Sequence, residues 1–212
     1  MAEICLAVAV LFSVAYGGAV KTAAPPAEPA STPTIQPMPT PQPNSNSPIR
    51  KIGFRNFRYT GPDDFAETFT LKEGERPFVQ RKESGISLDE VQYADLTGDG
   101  QEEAILTMGI QTGGSSMPGL VFIYTTVNDK PKCLWKFTTG DRADGGLKQI
   151  RGEDGKLIVE LYGQTTLING YWKNTTPDEK RCGDGCKNLY TLSKVKWTGK
   201  AFLVSEDPEF FI

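Results

Sequence analysis

The nine residues Asp95-Leu-Thr-Gly-Asp-Gly-Gln-Glu-Glu103 put oxygen-bearing side chains at the first, third, fifth and ninth positions and a glycine at the sixth. A hard cation such as Ca²⁺ takes six to eight oxygens, and a tight loop supplies them from alternate side chains and a backbone carbonyl. On this spacing Asp95, Thr97, Asp99 and Glu103 would ligate through side chains and Gln101 through its carbonyl. The same residue types also make metal-free turns, because Asp and Thr side chains accept hydrogen bonds from nearby backbone N–H groups. Both readings stand at this level.

The stretch Ala94-Asp-Leu-Thr-Gly-Asp-Gly-Gln-Glu-Glu-Ala-Ile-Leu106 resembles one repeat of the FG-GAP or VCBS type, found in the β-propellers of integrins and in many exported bacterial proteins. Those repeats carry Asp-x-Asp-Gly-Asp-Gly-x-x-Asp followed by an apolar strand. This chain departs from the pattern at Thr97, where the family has Asp or Asn, and at Glu103, where it has Asp. The resemblance implies a calcium loop at the start of a strand. Only one clear copy is present, so it does not imply a complete propeller. The wider stretch through Leu134-Trp-Lys-Phe-Thr-Thr-Gly-Asp-Arg-Ala-Asp-Gly-Gly146 to Glu160-Leu-Tyr-Gly163 is similar to a group of uncharacterised exported bacterial proteins. That likeness implies compartment and domain type, not an activity.

Other chemistry is narrowed by composition. The chain contains no histidine, which removes His-based triads and His-ligated zinc. Catalysis would fall to carboxylates, and Asp95, Asp99, Glu102, Glu103, Asp141 and Asp144 are the candidates for an acid–base pair acting on a glycan. Arg142, in the polar loop Gly140–Gly146, can pair with a carboxylate or stay solvated. Cys182-Gly-Asp-Gly-Cys186 is a natural close pair, open to a disulfide, free thiols or a metal. Cys133 lies in an apolar run and reads as a core residue. Tyr171 and Trp172 can form a contact surface or simply pack their loop down. With a net charge of -3 and scattered Lys and Arg, nucleic-acid binding is not expected.

The elements that must position these residues follow from patterning. Ile4–Tyr16 is apolar and is followed by Gly17-Gly18-Ala19, the pattern of a secretory signal over 1–21, although the first residues lack Lys and Arg. A retained anchor is the alternative. Residues 22–48 hold nine of the 15 prolines and one charge, Glu28. Such a segment is expected to be a disordered, extended linker. Residues 49–212 read as one mainly β domain, an antiparallel meander of sheets resembling propeller blades or an open sandwich. Strands are expected at Gly53–Thr60, Pro77–Arg81, Val91–Ala94, Glu103–Ile110, Leu120–Val127, Cys133–Thr138, Lys148–Arg151, Leu157–Tyr162, Tyr190–Trp197 and Phe202–Val204. Asn128-Asp129-Lys130, Asp154-Gly155 and Thr198-Gly199-Lys200 are expected hairpin turns. Ser87–Val91 suits a short helical turn, and Gly163–Asn188 a long loop.

The sequence therefore points to an exported, non-catalytic β module that binds or scaffolds at the cell envelope, stabilised by Ca²⁺ in one reading. Its partner would be an envelope or extracellular protein or glycan, with membrane contact only through an uncleaved N-terminal segment. A carboxylate-based glycan hydrolase and a purely structural domain are the alternatives.

Overall fold

The computed structural model describes residues 46–141, 145–163, 165–168, 171–174 and 190–211. The strands are β1 (Arg58–Thr60), β2 (Thr68–Thr70), β3 (Glu75–Arg76), β4 (Gly85–Ala94), β5 (Glu103–Gln111), β6 (Gly119–Val127) and β7 (Lys130–Thr138). They continue with β8 (Leu147–Glu153), β9 (Lys156–Tyr162), β10 (Thr165–Ile168), β11 (Tyr171–Asn174), β12 (Tyr190–Trp197), β13 (Phe202–Val204) and β14 (Glu209–Phe211). Helical structure among the described residues is confined to short 3₁₀ turns at Pro48–Lys51, Phe54–Asn56 and Asp63–Phe65. The molecule is mainly β and its paired strands run antiparallel, in an open sandwich without a closed barrel.

Five strands form a meander in the order β3-β4-β5-β6-β7, and a second sheet runs β13-β12-β9-β8 with β14 also beside β12. The meander is buried on both faces. Ala104, Leu106, Met108 and Ile110 of β5, with Leu120, Phe122 and Tyr124 of β6, meet the N-terminal segment through Ile49, Phe54, Tyr59, Phe69 and Leu71. Alternate residues of the same strands, Ile105, Val121 and Ile123, pack with Phe137 against Leu157, Val159, Leu161, Val195 and Phe202 of the second sheet. A strand covered on both faces has no polar side to display. This is why β5 and β6 read as nearly continuous apolar runs.

The Asp154-Gly155 hairpin between β8 and β9 has positive φ at both residues, 50° and 70°. This is the conformation that a two-residue turn matched to strand twist requires. The expected strands from Glu103 onward through β9 are present with ends shifted by at most three residues, and those at β12 and β13 have the expected bounds.

Four expectations are corrected. Gly53–Thr60 is not one strand: Phe54–Asn56 forms a 3₁₀ turn and β1 starts at Arg58. The turn lets Phe54, Phe57 and Tyr59 all join rings with Tyr124, which alternation along a single strand would forbid. Pro77–Arg81 is a turn, folded back through the Val79 N–H to Glu83 carbonyl bond at 3.0 Å, with Arg81 at φ 61°. Ser87–Val91 is strand, not helix: pairing to Gly109, Met108 and Thr107 of β5 overrides its local pattern. Lastly, Gly163–Asn188 is not all loop, because β10 and β11 form a hairpin within it with Leu167 opposite Trp172.

The apolar segment 1–21, most of the proline-rich stretch, Arg142, Asp144 and the Cys182–Cys186 pair lie outside the described residues. Ser47, near the end of the proline-rich stretch, is buried at 3% exposure, and the Pro48–Lys51 turn that follows buries Ile49.

Candidate functional site

The acidic loop connects β4 to β5. Asp95 accepts hydrogen bonds from the loop's own backbone, Gly98 N–H to Oδ1 at 2.7 Å and Gly100 N–H to Oδ2 at 2.9 Å. Both glycines have positive φ, 75° and 82°, so the amides can turn inward onto the carboxylate without a Cβ penalty. Asp99 accepts from the Gln101 N–H at 2.9 Å. These are the self-satisfied turns that Asp residues make without a metal.

Glu103 has a different position from its neighbours. It is fully buried. Its Oε2 accepts the N–H groups of Leu96 and Thr97 at 2.9 and 3.2 Å, and its Oε1 accepts the Thr125 hydroxyl at 2.9 Å. Burial pushes its carboxyl above the usual carboxylate range. The hydrogen bonds from Leu96, Thr125 and Thr97 counter that, while the Asp99 charge adds to it. Glu103 therefore staples the loop to the sheet from beneath. Among the described residues no three Cys, Asp or Glu side chains gather as a metal-holding group. The buried Thr97 hydroxyl oxygen is the exception to the loop's self-sufficiency, since it has no hydrogen-bond partner among the described residues.

Glu102 points to the N-terminal segment. Arg50 grips it bidentately, Nε to Oε2 at 2.6 Å and Nη2 to Oε1 at 2.8 Å. The guanidinium also lies 4.3 Å above the Tyr93 ring centre. This geometry uses the planar fork of arginine on a carboxylate and on an aromatic face together. Asp141 stands at the neck of the Gly140–Gly146 loop, where Gly140 N–H donates to the Gly145 carbonyl and Gly146 N–H to that of Asp141. Tyr171 and Trp172 are on β11. Cys133 is partly buried in β7 and burial raises its thiol pKa. It is thus a packing residue rather than a reactive one.

Among the described residues, Asp95 and Asp99 are thus turned onto their own loop, Glu103 onto buried amides and Glu102 onto Arg50. A cleft of about 620 Å³ lies elsewhere, between the two sheets. Its floor is Thr107 and Gly109 of β5, Gly119 of β6, and Thr139. The intersheet core of Ile105, Val121 and Phe137 stops short of this region, and small or polar side chains leave the space open. One wall is β4 with Asp89, Glu90 and Gln92; the other is Leu147–Ile150 of β8. The walls meet at one end. There the Gln92 amide donates to the Ile150 carbonyl at 2.9 Å, and a Cβ on Gly152 would lie only 2.2 Å from that of Ala94.

A β-bulge between Leu88 and Glu90 turns the Asp89 region into the cleft, a common use of bulges beside binding sites. The Asp89 carboxylate receives the Ser87 hydroxyl at 3.1 Å, and Glu90 receives the Gln92 amide at 2.9 Å. Neither has a basic partner among the described residues. Lys148, on the facing wall, is already held by Glu160 at 2.6 Å and lies 3.5 Å from the Tyr190 ring centre. Sequence reasoning passed over this cleft. Its one signal was Gly109 and Gly119 interrupting apolar strands, a known mark of close approach or a site.

Compared with models of known families, with curated proteins and with solved structures, the chain matches none.

Proposed function

We infer that this chain is an exported, non-catalytic β module that binds or scaffolds at the cell envelope. The observation that carries this is the arrangement of carboxylates. Glycoside hydrolysis needs two carboxyl groups flanking the scissile bond. Here Glu102 is committed to Arg50, Glu103 to buried amides and Asp95 to its own loop. The two acids in the cleft, Asp89 and Glu90, are chain neighbours on one wall, and the opposite wall offers Lys148 and Gln149. A cleft of this size with convergent polar groups suits recognition. Export is supported by the apolar segment and the proline-rich stretch that precede the domain.

Retention and turnover measured together test this reading. The purified protein is passed over immobilised envelope polymers and glycans, and the eluates are assayed for cleavage products. Retention without cleavage is expected. Cleavage that disappears in Glu102→Gln or Asp89→Asn would replace the reading with the hydrolase.

A cation on the Asp95 loop is a second reading, favoured by the unpartnered Thr97 hydroxyl and by the FG-GAP-like spacing. The cation would add to the amide contacts already on Asp95 rather than replace them. A ligand that binds only the folded form stabilises it, so excess Ca²⁺ is expected to raise the melting midpoint and a chelator to reverse the rise. An unchanged midpoint removes the cation and leaves the binding module standing.

A further inference from the structure

We propose that the cleft between β4 and β8 takes an extended peptide segment, adding it as a strand and seating a lysine or arginine side chain on Asp89 and Glu90. The proposal rests on the reading of the chain as a binding module and names its partner class.

Three independent features converge on it. The first is the state of the strand edges. β3 covers the outer side of β4 only at Ile86 and Ser87, so β4 from Asp89 onward has no strand on that side among the described residues. β8 is the terminal strand of its sheet. Open edges present rows of backbone donors and acceptors, and these recruit extended peptides. Gln92 caps the Ile150 carbonyl at the narrow end, which leaves Asp89–Glu90 and Leu147–Gln149 as the accessible run. Three residues of strand, Leu147–Gln149, span about 10 Å, enough to align a short extended segment.

The second feature is charge. Asp89 and Glu90 face the cleft with, among the described residues, only a serine hydroxyl and a glutamine amide on them. Burial in the cleft raises the Asp89 carboxyl above its usual range, and the Ser87 hydroxyl only partly offsets this. A cationic side chain there would collect two charge-assisted contacts. The facing cation, Lys148, cannot serve without leaving Glu160.

The third is the shape of the floor. Gly109 lies beside Asp89: a Cβ there would stand 3.3 Å from Asp89 Oδ2 and 3.4 Å from Ser87 Oγ. Gly119 is more tightly enclosed, since its Cβ would meet Thr139 Oγ1 at 2.8 Å. Two glycines therefore keep the floor low, which leaves space above it for an incoming backbone. A second hollow of about 460 Å³ adjoins this one through Gly109 and the 61% exposed Met117, extending the trough past β3. A sugar ring would find no aromatic face among the residues lining the main cleft, which favours a peptide over a glycan.

The test uses the full chain labelled with ¹⁵N and two short blocked peptides of alternating threonine and valine, one with a central lysine and one with glutamate at that place. The lysine peptide is expected to shift the amide resonances of residues 89–92 and 147–150, and to weaken as salt rises. Asp89→Asn and Glu90→Gln should each weaken it by roughly 5- to 10-fold with an unchanged melting midpoint. Gly109→Val, whose side chain would fill the floor and crowd the Asp89 carboxylate, should weaken it as well. Equal binding of the two peptides, shifts confined to another surface, or no binding at all overturns the proposal. If the chain is still retained on envelope material without turnover, the module reading survives that failure; cleavage of either peptide ends both.

Discussion

Glu160, on β9, carries two cations: Lys148 Nζ at 2.6 Å and Arg151 Nη1 at 2.7 Å. Burial by itself would raise its carboxyl pKa, but the two ion-paired hydrogen bonds outweigh burial and hold it below the usual carboxylate range. A folded-state value below the unfolded one means that the stabilisation is complete above the ordinary glutamate pKa of about 4.3 and is lost as pH falls through the folded value. Glu160→Gln is predicted to cost about 1–3 kcal/mol at neutral pH in urea denaturation, with the deficit against wild type shrinking in acid. A deficit that stays constant down through that range would contradict the assignment. Glu103 has the opposite sign, raised by burial, so it favours the folded state more as it takes up a proton. The spacing of Asp95, Thr97, Asp99 and Glu103 was readable from the sequence. Their orientation was not, because whether Glu103 turns toward a cation or toward Leu96 and Thr125 depends on strand β6, which is remote in the chain.

At the scale of elements, legibility followed the range of the cause. Hairpins made by local chemistry, such as Asp154-Gly155, were predicted correctly along with the strands they join. So were β5, β6 and β9, whose apolar, β-branched runs favour strand, and most of β7. Elements decided by distant partners were misread. Ser87–Val91 is strand because β5 pairs with it, and Phe54–Asn56 turns because the aromatic cluster around Tyr124 needs its rings. The crossing of β8 over β4 is another such feature, and it closes the narrow end of the cleft. Gly152→Val would drive its side chain into Ala94 and Leu96. Overpacking of this kind typically costs about 1–3 kcal/mol. The variant is predicted to lower the urea midpoint and weaken retention on the envelope material. Unchanged stability would mean that the two edges do not meet at Gly152.

At the scale of the whole molecule, one twice-covered meander organises everything else. Its β5 and β6 put one set of side chains under the N-terminal segment and the alternate set under the second sheet. The second interface is filled for only part of its length, and the unfilled part is the cleft. The Arg50–Glu102 clamp fixes the N-terminal segment beside the acidic loop, while the cleft opens against β8. The carboxylates with structural duties are thereby distinct from the two that line the cleft. Amide hydrogen exchange of the full chain, alone and while retained on envelope material, measures this separation most directly. The account predicts slowed exchange at residues 89–92 and 147–150, with no cleavage of the retaining material. Unaltered exchange along both edges together with protection on another face, or cleavage of that material, would contradict it.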